Sequence, residues 1–289
     1  MLVEAAPAKI NLALHVVGQR PDRYHELESL VVFADVADEL EMRPASADQL
    51  LVEGPFASGL GSGETNIVSR AIAAFRDRWP GAVEGSLRIV LRKNLPVAAG
   101  LGGGSADAAA ALRLMARQAR PAIATGDLMS LAATLGADVP MCLLSRPAVV
   151  TGIGERVNPL AEFPACHVVL VNPLVPVVTA EIFRRLENHQ NPVLPRLPHP
   201  LTRPAQLGLF LEGTRNDLEP VATAMVPEIG TLIARMSALA GCMLARMSGS
   251  GATVFGLFGS SALAHQAAHD LRSLHPGYWV AAAPLLGSD

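Results

Sequence analysis

Residues 95–106 read Leu95-Pro96-Val97-Ala98-Ala99-Gly100-Leu101-Gly102-Gly103-Gly104-Ser105-Ala106. Four glycines in the five positions from 100 to 104 open positive φ to the backbone and strip it of side chains. The residues that follow, Asp107 to Met115, are alanine-rich with Leu, Arg and Met. They predict a helix that stops before Pro121, with Ser105 at its N-cap. A glycine loop feeding a helix N-terminus offers free N–H groups and the positive end of the helix dipole, a combination that binds phosphate. Glycine content alone also fits a plain turn capping a helix.

The loop is not a Walker A loop, because no Gly-Lys-Ser/Thr follows the glycines. It is also a poor dinucleotide fingerprint: Gly100-x-Gly102 fits, but Ser105 stands at the third glycine position and Pro96 separates strand from loop. The rest of the composition narrows the class. The chain has 289 residues, enough for two domains or one large one. Half of it is hydrophobic and only 4% aromatic, so its core is expected to be Leu, Val and Ala. No apolar run reaches the ~18 residues of a membrane helix, and no basic-then-apolar leader opens the chain. The interspersed net charge of −3 argues against a nucleic-acid binder. Cys142, Cys166 and Cys242 are scattered in apolar surroundings, which fits buried thiols in a reducing cytoplasm.

From Ala8 to Val17 the chain alternates as a strand. Ile10, Leu12, Leu14 and Val16 lie on one face, and Lys9, Asn11, Ala13 and His15 on the other. The second face is either solvated or functional, since it carries little charge for a surface. A polar turn over 18–25 ends in Tyr24-His25, chemistry suited to gripping a base, though such a pair is more often packing. Short strands are predicted over Leu30–Phe33 and Asp38–Met42, and a loop over 58–63. A helix is predicted from Asn66 to Trp79, then a strand over Leu87–Leu91 leading into the glycine loop. A further helix is predicted over Asp127–Leu135. Asp138, in Gly136-Ala137-Asp138-Val139-Pro140, is one acid in a nearly apolar stretch. Such an acid is either functional or a structural cap on the turn before Pro140.

In the second half, Val168–Val171 reads as a buried strand and Pro176–Leu186 as the approach to a helix capped by Thr179. Residues 188–215 read as a long proline-rich loop. A helix interrupted at Pro227 spans Glu219–Leu239. Strands over Cys242–Met247 and Ala252–Phe258 flank the tetrad Ser248-Gly249-Ser250-Gly251, which is an ordinary hairpin or a second phosphate loop. A helix over Ser261–Leu274 and a strand over Tyr278–Ala283 close the chain. This order resembles a ferredoxin-like α+β sandwich.

Three stretches together resemble the GHMP kinases. Ala6-Pro7-Ala8-Lys9-Ile10-Asn11-Leu12 is similar to their N-terminal motif, Pro96 to Ala106 to their central ATP motif, and Ser248-Gly249-Ser250-Gly251-Ala252 to their C-terminal glycine loop. Tyr24-His25-x-Leu27, Gly136 to Pro140, and Asn216-Asp217-Leu218-Glu219 narrow the likeness to a branch whose substrate is a cytidine diphosphate-linked methylerythritol. The resemblance implies a two-domain α+β fold, with a ribosomal-protein-S5-like domain over 1–160 and a ferredoxin-like domain over 161–289. It implies an enzyme transferring a phosphoryl group from ATP, with Mg²⁺, to an alcohol. It also implies a cytoplasmic protein, monomeric or weakly dimeric, without nucleic-acid or membrane partners.

Carried over by position, Lys9 and Asp138 are implied as catalytic. Asn66, Pro96, Val97, Ala98, Ala99, Gly100, Leu101, Gly102, Gly103, Gly104, Ser105, Ala106, Ser248, Gly249, Ser250 and Gly251 are implied in ATP binding. Asn11, Tyr24, His25, Thr179 and Phe183 are implied in substrate binding. There Tyr24 and Phe183 are expected to sandwich the base while the His25 imidazole reads its polar edge. The chain departs from the family pattern where Arg23 replaces a glycine, which adds strain if that position has φ > 0. It departs again where Asp107 replaces a common Asn, in what the predicted cap makes the first helical turn. A kinase for a substrate without a base, or a non-catalytic RNA binder on an S5-like fold, are the competing readings. The acidic balance and the Lys9/Asp138 pair speak against the second.

Overall fold

The structure, a computed structural model, describes residues 1–287. Two compact units are present. The first comprises Met1–Ala8, Ala37–Val97 and Gly102–Leu144; the second comprises Lys9–Val36, Ala98–Leu101 and the chain from Ser145 onward. This differs from a single cut at residue 160. Two long strands, β1 (Leu2–Gln19) and β2 (His25–Ala45), each begin in one unit and end in the other.

In the first unit, β2 pairs antiparallel with β4 (Ser86–Arg92) over Glu39 to Ala45, and β3 (Gln49–Glu53) adds to β4 in parallel. Four helices belong to this unit: α1 (Ile67–Arg78), α2 (Gly103–Gln118), α3 (Thr125–Leu135) and α4 (Val139–Leu144). Asn66 caps α1 as predicted, its side chain accepting from Val68 N at 2.9 Å. Val68, Ala71 and Phe75 form the buried stripe of α1. α2 is buried from Ala106 through Leu112 and again at Leu114 and Met115. Its small alanines let neighbouring helices α1 and α4 lie against it. Arg113, on the same helix, is polar and tied down. Its guanidinium bonds Glu4 at 2.6 Å, Ala5 O at 2.7 Å and Cys142 O at 2.8 Å.

In the second unit, β2 pairs antiparallel over Leu27 to Val31 with β5 (Ala148–Gly152), and β5 pairs with β6 (Arg156–Pro159). A separate sheet holds β7 (His167–Asn172), β8 (Cys242–Met247), β9 (Val254–Phe258) and β10 (Trp279–Pro284) in the order β10-β7-β9-β8. All three pairings are antiparallel, the fourth-first-third-second arrangement of a ferredoxin-like sandwich. The unit's helices are α5 (Thr179–Arg184), α6 (Pro204–Glu212), α7 (Glu219–Met225), α8 (Pro227–Ser237) and α9 (Ser261–Leu274). α8 packs on β8 and β9, and α9 on β7, β9 and β10. Their core joins Val169, Val171, Val254 and Phe258 to Ile229, Leu232, Met236, Ala268 and Leu271. Among the described residues no helix is long and apolar enough to cross a membrane.

Several local expectations need correction. The strands read at Leu30–Phe33 and Asp38–Met42 are parts of one strand of 21 residues, because Ala34 to Ala37 carries no breaker. The N-cap of α2 is Gly102 at φ +64, not Ser105. A left-handed residue turns the chain into the helix three residues earlier than a serine cap would. Asp107 therefore falls in the second turn. Thr179 starts α5 rather than capping it, since Val178 is the cap. The stretch 188–215 is not all loop: α6 fills 204–212, with Pro204 at its first position, where the missing N–H costs nothing. Strands β3, β5 and β6 escaped the sequence reading. Arg23 does adopt φ +70, so the strain anticipated there is present.

Candidate active site

Lys9 and Asn11 are two residues apart on β1 and so share one face. That face is not solvated: each residue is only 5% exposed. Lys9 Nζ donates to Asn11 Oδ1 at 2.7 Å, and Asn11 Nδ2 donates to Ser29 Oγ at 2.8 Å. Ser29 Oγ donates in turn to Ala13 O at 2.6 Å. An ammonium only donates, so Asn11 must turn its oxygen toward Lys9 and its amide nitrogen toward β2. This chain of bonds sets both rotamers.

The same strand is stitched to the glycine stretch. Lys9 N donates to Leu101 O at 2.9 Å, and Asn11 N donates to Ser248 Oγ at 3.2 Å. Ser248 Oγ donates in turn to Gly100 O at 3.0 Å, and Thr253 N to Ala99 O at 3.2 Å. Ala98–Leu101 and the tetrad Ser248–Gly251 therefore lie side by side within the second unit. The approach demands glycine: a Cβ on Gly100, at φ +75, would sit 2.2 Å from Ser248 O. Asn216 holds the tetrad from its other side. Its Nδ2 donates to Met247 O at 2.9 Å and Gly249 O at 2.8 Å, while its Oδ1 accepts from Leu218 N at 3.0 Å. Ser250 Oγ shares a 2.7 Å hydrogen bond with Thr179 Oγ1. The reading of the tetrad as a lone hairpin is replaced by a loop built against the first one.

In the first unit, Gly102 starts α2, whose first helical bond runs from Ala106 N to Gly102 O at 2.9 Å. The N–H groups of Gly103, Gly104 and Ser105 have no partner within the helix. A cluster under Gly103 anchors this corner. Lys93 Nζ bonds Asp38 and, at 2.7 Å, Asp107. Asp38 Oδ1 also accepts from Asn94 N at 2.6 Å and Leu95 N at 2.8 Å. All three charged side chains are buried. Burial, with Asp38 adding to it, holds the Asp107 carboxyl above the usual range even though Lys93 pulls the other way. Asp107 is thus an anchor of α2 to β4 and β2. Asp138 is half-buried and immediately precedes α4. Its carbonyl accepts from Cys142 N at 3.2 Å, so the buried helix positions its backbone.

At the base-reading candidates, Tyr24 is 60% exposed. Phe183 stacks on His25 instead, with ring centroids 4.9 Å apart and planes 22° from parallel. His25 Nε2 lies 3.0 Å from His189 Nδ1. Burial, and then His189, lower the His25 pKa, so the ring stays neutral.

His15, fully buried, takes part in docking the proline-rich segment. Its Nδ1 donates to Pro192 O at 3.1 Å and its Nε2 accepts from Arg215 N at 3.2 Å. A carbonyl cannot donate and a backbone N–H cannot accept, so only the neutral ring with its proton on Nδ1 makes both bonds. Burial, then the Arg215 charge, depress its pKa below 6.5. The stabilisation is complete above that unfolded value and is lost as the pH falls from there through the folded value. Each unit of separation corresponds to about 1.4 kcal/mol. Urea midpoints measured from pH 7.5 to 5 are expected to fall more steeply for the native chain than for His15→Asn. Equal slopes would refute this role.

Models of the GHMP kinases N terminal domain and the GHMP kinases C terminal match residues 66–146 and 201–277. A 4-diphosphocytidyl-2-C-methyl-D-erythritol kinase of Agrobacterium fabrum is 49% identical over 96% of this chain and 94% of its own length. The chain belongs to this GHMP kinase family. It is a kinase. A crystal structure of 4-(cytidine 5'-diphospho)-2C-methyl-D-erythritol kinase superposes with a TM-score of 0.79 at 36% identity, covering 98% of this chain and 99% of that one. A homoserine kinase from Cytophaga hutchinsonii shares the fold at TM-score 0.72 and 18% identity, over 99% of this chain and 95% of that one.

Several residues of this GHMP kinase were invisible to sequence reasoning as site components: Ser29, Asp38, Lys93, His15 and His189. Their partners lie 14 to 200 residues away. Buried polarity was the available signal. His15 between Leu14 and Val16, and Asp38 between Val36 and Leu40, are both groups that burial obliges to find partners.

Proposed function

We propose that this kinase transfers the γ-phosphoryl group of ATP to the 2-hydroxyl of 4-diphosphocytidyl-2-C-methyl-D-erythritol, in the non-mevalonate route to isoprenoids. The observation that carries the reading is the sealed Lys9–Asn11–Ser29 network, bonded directly to the paired loops at Gly100–Leu101 and Ser248–Gly251. A cation tied to Asn11, whose backbone bonds Ser248, supports reading the two loops as a phosphate site.

Phosphoryl transfer asks for positioning and charge neutralisation rather than covalent help. The N–H groups of Gly103, Gly104 and Ser105 and the two glycine loops bind the phosphates, with Asn66 near the adenine. The hydroxyl oxygen bonds to the γ-phosphorus as the bond to the β,γ-bridging oxygen breaks, and ADP departs. Asp138 takes the hydroxyl proton. Lys9 steadies the transferring charge, and Asn11 keeps its ammonium in place. Tyr24, His25, Thr179 and Phe183 bind the cytidyl substrate. Mg²⁺, when bound with the nucleotide, would neutralise the phosphate charge.

The test is ATP consumption by the purified chain with Mg²⁺ and the cytidyl substrate, beside mevalonate and homoserine. Turnover with the cytidyl substrate alone is expected. Turnover with a control instead would keep the phosphate loops and remove Tyr24, His25 and Phe183 as base readers.

A further inference from the structure

We propose that Ser29 is a positioning residue for phosphoryl transfer: its hydroxyl fixes which way the Asn11 amide faces, and through that amide it orients the Lys9 ammonium. The inference rests on the reading above in which Lys9 steadies the transferring charge.

The bonds leading from Lys9 can run in one direction only. At one end stands an ammonium, which donates and cannot accept; at the other stands the Ala13 carbonyl, which accepts and cannot donate. Between them Lys9 Nζ reaches Asn11 Oδ1 at 2.7 Å, Asn11 Nδ2 reaches Ser29 Oγ at 2.8 Å, and Ser29 Oγ reaches Ala13 O at 2.6 Å. With both ends fixed, each group between them has a single role. Ser29 spends its proton on Ala13 O, so it meets Asn11 with a lone pair and requires the amide nitrogen there. The amide oxygen is then left for Lys9. A flipped amide sets its N–H groups against the ammonium and its oxygen against the Ser29 lone pair.

Burial makes that flip costly. Ser29 is 3% exposed, and Lys9 and Asn11 are 5% exposed each, so solvent offers little to replace a lost partner. The backbone of Ser29 is held independently of its hydroxyl. It lies in β2, paired in register with Val150 of β5, and its neighbours Leu30 and Val31 are buried. Loss of the hydroxyl should therefore leave the strand in place and free the Asn11 amide. The chain also carries its own control. It has two lysines, Lys9 and Lys93, and Lys93 is buried in a different set of bonds, to Asp38 and Asp107.

Ser29→Thr and Ser29→Val isolate the hydroxyl, because they introduce side chains of one shape, with and without it. In the full chain labelled with ¹⁵N at lysine Nζ, the Lys9 ammonium resonance is expected to move in the Val variant relative to the Thr variant. The Lys93 resonance should stay in place in both. With ATP and the cytidyl substrate saturating, the Val variant is expected to fall about tenfold below the Thr variant in kcat, with KM for ATP within about twofold. In an Asn11→Ala background the two should have equal kcat, since the amide through which Ser29 acts is gone. Ser29→Ala, compared with the native chain, replaces the pair if the branched side chains prevent folding. A Lys9 resonance that is the same in both variants overturns the inference. So does a kcat difference that persists undiminished without Asn11, which is the mark of packing alone. Equal kcat on the cytidyl substrate also overturns it and leaves the kinase reading intact. Turnover of mevalonate or homoserine instead removes the cytidyl reading, and the same comparison is then decided on that acceptor, because the transferred charge is the same.

Discussion

Asp138→Asn is expected to reduce kcat on the cytidyl substrate by about 10²–10⁴-fold, the range set by removal of a positioned general base. The substitution exchanges a carboxylate for an amide of nearly the same shape. The backbone at 138 is set by α4, whose residues Val139 to Leu143 are buried and whose first turn bonds the Asp138 carbonyl. Folding and the Kd for ATP should therefore stay close to native while turnover collapses. Steady-state kinetics at saturating ATP and substrate, with thermal unfolding as a fold check, decide the matter. Retention of most of kcat would remove Asp138 from the proton-transfer role and leave the phosphate loops to account for catalysis.

Gly100→Ala is expected to be the most damaging single methyl group in the chain. A Cβ there meets Ser248 O at 2.2 Å and Gly251 N and O at 2.9 Å, on a residue at φ +75. Left-handed backbone costs an alanine about 1–2 kcal/mol, and overpacking adds about 1–3 kcal/mol. Relief requires the two glycine loops to part, which breaks the Ser248 bonds to Gly100 O and Asn11 N. Loss of about 2–5 kcal/mol of stability is expected, together with a rise in the KM for ATP. Gly63→Ala is the control, since nothing lies within 4 Å of its added Cβ, and it should fall within about 0.5 kcal/mol of native. Equal denaturant midpoints for the two variants would show that the loops are not in the tight register described.

The glycine stretch, Lys9 and Asn11, the Asn66 cap and the split of the α7–α8 region at Pro227 were legible because each depends on neighbours within a few residues. The prediction of Ser105 as the cap of α2 failed for a local reason too. A side-chain cap and a left-handed glycine are alternative ways to start a helix, and a run of three glycines hides which one is used. Likewise Asp107, read as a departure in the first helical turn, is paired with Lys93, a partner from β4's end that spacing could not reveal.

By itself the sequence determined the conformational freedom of the glycine stretch 100–104, the alternation that puts Lys9 and Asn11 on one strand face, and the ferredoxin-like order of the closing elements. These follow from backbone freedom and periodicity, which are local properties. Only the tertiary structure decided that this strand face is sealed, that Gly100 and Ser248 meet, and that the proline-rich segment is tied to β1 through His15. The tertiary structure alone brought His189 to His25. Those outcomes depend on which buried donors find acceptors across more than a hundred residues. That pairing is settled by the packing of the whole second unit rather than by any stretch of its chain.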